Sequence, residues 1–197
     1  MRKFKCLLFF EKPMIMESLI IFGILSLPTV ILSWRSLFSV KNHGFYRFFG
    51  WECIIWLFAF NYKFWFENPF GSVQIFSWIF LFISVYLVIS GVILLKKVGK
   101  PQKTRDDEAL YQFEKTSELV DSGIYRYIRH PLYSSLIFLN WGIFLKNPGS
   151  LSFMVAVLST VLFYLTAIFD EKECIGYFGD KYCEYMKRTK RFIPFLI

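Results

Sequence analysis

The chain has 197 residues, 55% of them hydrophobic and 21% aromatic, with a net charge of +8. That length fits a single domain, but the composition is too apolar for an ordinary soluble fold and points to an all-α protein that crosses a membrane several times. The basic residues lie between apolar runs rather than on a separate basic domain, which argues against nucleic acid and makes the bilayer itself the partner.

In chain order, the apolar run 6–10 stops at Glu11-Lys12-Pro13, too short for a signal-peptide core and without a small-residue cleavage site. Residues 1–13 are expected outside the membrane or along its interface. A first span is predicted over residues 14–34, with Glu17 near its start and Pro28 as a possible kink. A polar connector with Arg35, Lys41, His43 and Arg47 follows, and His43 reads as a plain connector residue. The second span, 48–66, is rich in Trp and Phe and ends at the turn signal Glu67-Asn68-Pro69-Phe70-Gly71. Its Glu52 and Lys63 are three helical turns apart and share a face, as anchors or as cavity-lining charges. The third span, 72–95, carries no charge.

A long polar stretch, 96–129, leads to a proline-opened helix over 131–145. Lys146-Asn147-Pro148-Gly149 makes a tight turn into a fifth helix over 150–169, so the last two form a helical hairpin. Ser135 and Gly142 put small residues on one face for close packing. The tail from Asp170 to residue 190 reads as one surface helix. With five spans, the connector, long loop and tail share one side and hold three, eight and six basic residues, against four at the N-terminus and Lys146 on the other. That excess predicts a cytoplasmic loop and tail. Cys6, Cys53, Cys174 and Cys183 form no CxxC pair and no zinc-like spacing, so no metal is expected.

The most informative residues are Gly123-Ile124-Tyr125-Arg126-Tyr127-Ile128-Arg129-His130-Pro131-Leu132-Tyr133. Because a hairpin brings its ends together, His130 should meet Asp170 and Glu171, forming a pocket with a basic, aromatic wall and an acidic wall. This motif, the preceding Leu119-Val120, the acidic pair, and Phe178-Gly179-Asp180-Lys181-Tyr182 resemble the isoprenylcysteine carboxyl methyltransferase and phospholipid methyltransferase superfamily of integral membrane enzymes. The resemblance covers roughly residues 96–194.

It implies S-adenosylmethionine as cofactor and a lipophilic or membrane-delivered acceptor, with carboxyl, amine and thiol all open. It implies a cofactor site of Ser117, Glu118, Leu119, Val120, Tyr125, His130, Pro131, Leu132, Tyr133, Asp170 and Glu171. His130 with the helix start suits the cofactor carboxylate, Asp170 the ammonium, and Tyr125 and Tyr133 the adenine or the sulfonium. In-line methyl transfer rests on alignment in a water-sheltered site, and no catalytic residue is assigned.

The prenylcysteine enzymes carry an arginine one turn before the acidic pair, where it meets the substrate carboxylate. Thr166 stands there in this chain, leaving Arg129 or Arg191 to replace it on the substrate side. Arg126 and Arg129 also read as inside-positive anchors, Tyr127 as interfacial packing, and Lys187, Arg188, Lys190 and Arg191 as a headgroup-facing patch. Competing readings are a non-catalytic membrane assembly protein of the same fold and an NADPH-dependent membrane reductase.

Overall fold

The computed structural model describes residues 2–101 and 110–194, with side chains from residue 15 onward. The expectations for Cys6 and for two of the loop cations lie outside the described residues and side chains, whereas residues 2–13, expected to precede the first span, continue its helix. Among the described residues the fold is helical and has no β-sheet: α1 Arg2–Ser33, α2 His43–Asn61, α3 Ser72–Lys97, α4 Pro131–Phe144, α5 Ser150–Phe178 and α6 Asp180–Arg188. Short 3-10 stretches occupy Trp34–Phe38, Tyr62–Phe64 and Gly123–Arg126.

Several ends differ from expectation, each for a local reason. α2 starts at His43 rather than five residues later because the Asn42 side chain accepts from the Gly44 N–H at 2.8 Å, capping it. α5 continues through the acidic residues to Phe178, so Asp170 and Glu171 are interior helix positions rather than the start of a tail helix. Gly179, with φ of +60°, then turns the chain into α6. The expected single surface helix is therefore two helices, and α6 buries Tyr182 and Tyr185.

Three segments, Ile15–Phe38, Ser72–Lys97 and Ser150–Phe178, are by themselves long and apolar enough to cross a membrane. α4 has 14 residues. That is a rise of about 21 Å, short of the roughly 30 Å hydrocarbon core. Neither α4 nor α2 meets the measure, so five crossings stand as the sequence expectation.

α3 packs chiefly on α4 and α2 on α5, and both contacts are more extensive than the one between α4 and α5. The small face of α4 thus serves α3 rather than its hairpin partner. A Cβ on Gly142 would lie 2.9 Å from the Leu81 side chain, and Ser77 Oγ donates to the Gly142 carbonyl at 2.7 Å. The core between the pairs holds Ile54, Leu57, Leu81, Ile143, Ala156 and Phe163. Buried amides add cross-helix bonds, Asn61 to the Ile143 carbonyl and Asn140 to the Ala156 carbonyl, each contributing about 0.6 kcal/mol in a membrane. Lys146 is buried, with its Nζ 3.5 Å from the Trp78 ring centre.

Glu52 and Lys63 do not work as a pair. Lys63 lies beyond α2 and bonds Glu17 of α1 at 2.5 Å. Glu52 accepts from Ser26 Oγ and Thr29 Oγ1, both at 2.6 Å. Both residues therefore tie α1 to α2, and Glu52 also faces an apolar groove shared with Phe22, Trp56 and Leu162. At the other end of the bundle the connector, the long loop and the tail converge. His43 bonds Glu173, Arg47 bonds Glu114, and Arg188 bonds Asp121.

Candidate active site

Local chemistry explains why the motif sits where it does. Pro131 opens α4, its fixed φ suiting a first helical turn. The extended residues before it pair with the chain after α6: Lys190 N–H donates to the Tyr127 carbonyl at 2.9 Å, Arg129 N–H to the Lys190 carbonyl at 2.8 Å, and His130 N–H to the Arg191 carbonyl at 3.1 Å. The Tyr185 hydroxyl adds a 2.6 Å bond to the Tyr125 carbonyl. The tail is thereby fastened against the motif.

A cleft opens between these parts. Of the residues singled out in the sequence, Leu119, Val120, Tyr125, Arg129, His130, Pro131, Leu132, Tyr133 and Asp170 line it. Ser117, Glu118 and Glu171 do not. Ser117 donates to the Lys100 carbonyl, and Glu118 pairs with the Lys100 ammonium on the surface. Thr166 is fully buried on α5 with its hydroxyl bonded to the Leu162 carbonyl. Arg191 also lies outside the cleft. Phe178, Tyr182 and Tyr185 add aromatic rings to it, and burial raises the Tyr125 and Tyr182 hydroxyls well above the ordinary tyrosine range.

The adjacent carboxylates have different surroundings. Glu171 is the centre of an ion cluster: Arg129 Nε at 2.9 Å, Arg191 Nε at 3.1 Å and Nη2 at 2.7 Å, and His130 Nε2 at 3.3 Å. Asp170 lines the cleft, with His130 Nδ1 at 3.5 Å and Cys174 Sγ at 3.6 Å. His130 stacks on the Tyr133 ring, centroids 5.3 Å apart. Burial alone would lower its pKa, but the two carboxylates outweigh that and raise it above the ordinary value. An anionic ligand group was expected on this imidazole; two carboxylates meet it instead, and its backbone N–H already donates to the Arg191 carbonyl. Arg129 and Arg191, expected as an anchor or on the substrate side, are both spent on Glu171.

Sequence reasoning missed two groups. His43 is fully buried rather than a plain connector residue, and its Nδ1 lies 2.5 Å from Glu173 Oε2. Its position beside a capping Asn was the available signal. Glu114, in a loop without periodicity, also lines the cleft and accepts from Arg47 at 3.1 Å. His43, Asp170 and Glu173 bring one potential metal-ligand atom each within 4.8 Å of one another, although two of the three are already hydrogen-bonded together.

The pattern of the family described as phospholipid methyltransferase matches residues 73–180, more than half of the chain. Curated relatives include methanethiol S-methyltransferase 1 of Bradyrhizobium diazoefficiens, 31% identical over 71 residues, which are 36% of this chain and 24% of that protein. Protein-S-isoprenylcysteine O-methyltransferase of Tribolium castaneum is 34% identical over 92 residues, 44% of this chain and 32% of the relative. Methanethiol S-methyltransferase of Pseudomonas deceptionensis is 30% identical over 73 residues, 37% and 27% of the two chains. The matched segments thus span about a quarter to a third of these relatives. No solved structure matches the chain.

Proposed function

The chain belongs to the phospholipid methyltransferase family, and from that premise we propose that it is a membrane methyltransferase, a single unit over its whole length. It takes a methyl group from S-adenosylmethionine and passes it to a lipophilic or membrane-delivered acceptor at the cytoplasmic face. When bound, the cofactor supplies an electrophilic methyl group on a sulfonium. The observation that carries the reading is the cleft's chemistry: one buried carboxylate, Asp170, among the rings of Tyr125, Tyr133, Phe178, Tyr182 and Tyr185. A carboxylate suits the cofactor's ammonium, and aromatic faces suit its adenine and sulfonium.

His130 and Tyr133 orient Asp170. Leu95, Leu119, Val120 and Leu132 keep water from the reacting centre, which favours a reaction whose positive charge disperses as it proceeds. The space between the walls is about 100 Å³, below the roughly 300–1,000 Å³ of ligand pockets. Cofactor entry therefore requires one wall to lift, and residues 110–120 form a wall without helical backbone.

Calorimetry with the detergent-purified chain tests the reading. S-adenosylmethionine and S-adenosylhomocysteine should bind the wild type, and Asp170→Ala should weaken binding about 10- to 150-fold, the loss of a charge-assisted bond of about 1.5–3 kcal/mol. His130→Ala should weaken it by misplacing Asp170. No binding by the wild type sinks the methyltransferase assignment; binding indifferent to both substitutions sinks the site.

A further inference from the structure

Glu114 is a cleft carboxylate to which the cofactor argument gives no task. Its Oε2 accepts from the Arg47 guanidinium at 3.1 Å and from the Tyr111 N–H at 2.9 Å, so α2 and the loop backbone both hold it in place. Its other oxygen, Oε1, has no partner among the described residues. The groups that share its surroundings are Arg47 and Tyr111, with Tyr125, Tyr133 and Asp170 across the cleft. Tyr125 lines the same cleft as Glu114, and its hydroxyl is raised mainly by burial and further by the Glu114 charge.

The cations tell the other half. Arg129 and Arg191 both serve Glu171, Arg47 serves Glu114, and Thr166 is buried and bonded to its own helix. An acceptor carboxylate entering here would face two carboxylates and no guanidinium free of a prior ion pair. A neutral acceptor meets no such repulsion, but it must lose a proton on methylation.

Resting on the methyltransferase reading above, we propose that Glu114 is the proton acceptor of the transfer, and that the methyl acceptor is a neutral nucleophile carrying its own proton, a thiol or an amine. The nucleophile's lone pair forms the bond to the methyl carbon. The carbon–sulfonium bond breaks with its electron pair passing to sulfur, which becomes a neutral thioether. The acceptor's proton passes to Glu114 Oε1 and then to water. The sulfonium charge and the Glu114 carboxylate charge disappear together, and the Arg47 guanidinium stays beside the protonated acid until the proton passes to water and restores the ion pair.

The test uses the full chain in detergent, S-adenosylmethionine with a labelled methyl group, and three probes of equal chain length: 1-octanethiol, octylamine and octanoate. Label should enter the thiol or the amine and not octanoate. Glu114→Gln keeps an oxygen for the Tyr111 N–H, so cofactor affinity should stay within about twofold while kcat at neutral pH falls by about 10²-fold or more. With the thiol, the deficit should narrow as pH rises, because a thiolate has no proton to give up, and Glu114→Asp should recover part of the rate. The proposal is overturned by label in octanoate, by label in none of the three while the cofactor binds, by an undiminished kcat in Glu114→Gln, or by parallel loss of cofactor affinity and rate at every pH. Failure of the wild type to bind cofactor would instead overturn the reading on which it rests.

Discussion

Replacing Glu171 by glutamine separates structure from chemistry at two neighbouring carboxylates. The Glu171 side chain is 6% exposed, and its partner Arg129 is 8% exposed, so neither charge is well solvated. Arg191 reaches it with two nitrogens and His130 with one. Removing one partner of such a cluster leaves the others uncompensated, which costs about 3–5 kcal/mol. The glutamine keeps the shape and one acceptor oxygen, so the lower end of that range is expected. Arg191 is the partly exposed member, and Arg191→Gln should cost less. Because the two residues share a network, the double variant should be more stable than the sum of the single losses implies, with a coupling energy above about 1.5 kcal/mol. The assay is denaturant unfolding in mixed micelles followed by tryptophan fluorescence, on wild type, both single variants and the double. Additivity within about 0.5 kcal/mol would refute the cluster as a stabilising unit. A Glu171→Gln variant of wild-type stability that has lost cofactor binding would refute the division of labour between Glu171 and Asp170.

Two further outcomes follow from the site. The His130 pKa is raised above 6.5 in the folded chain, where burial opposes and the two carboxylates prevail. His43 is raised in the same way, its bond to Glu173 overcoming burial. Stability from these groups is fully present below the unfolded value and is lost as pH rises through the folded one. Wild-type stability should therefore decline on the alkaline side of that window, and His130→Gln should flatten part of the decline; an unchanged slope counts against a charged His130. Hydrogen exchange should show residues 110–120 opening before cofactor binds and slowing on S-adenosylhomocysteine binding, while α3 stays unchanged; protection indifferent to the ligand would refute that wall as the entrance.

Much of the scaffold was legible because its signals are local. α3 is an uninterrupted apolar run, and α4 carries its own start signal in Pro131, so both were placed within about two residues. The motif's aromatic and basic order placed His130 beside Asp170 and Glu171 through hairpin geometry alone. What escaped depends on partners distant in sequence. The chain from Asp170 onward was read as one surface helix, and the ion cluster on Glu171 was not foreseen, because its cations come from positions 129, 130 and 191. Glu114 gained its place from Arg47, 67 residues earlier, and no periodicity in the loop announces that pairing. The turn between α4 and α5 was legible, but their main packing partners, α3 and α2, were not, since ridge and groove contacts such as Gly142 on Leu81 depend on which helix arrives alongside.

The pairing of α2 with α5 bears on how the protein is made. α2 leaves the ribosome with His43 and Arg47 at its head, yet the carboxylates that answer them are 130 and 67 residues further along. α3 and α4 can associate while the last quarter of the chain is still being synthesised; α2 has to wait for α5. Until then Arg47 can already reach Glu114, while His43 has no carboxylate to meet. The acidic wall of the cleft comes last, so a nascent chain presents His43 at the membrane surface without its carboxylate until α5 is in place.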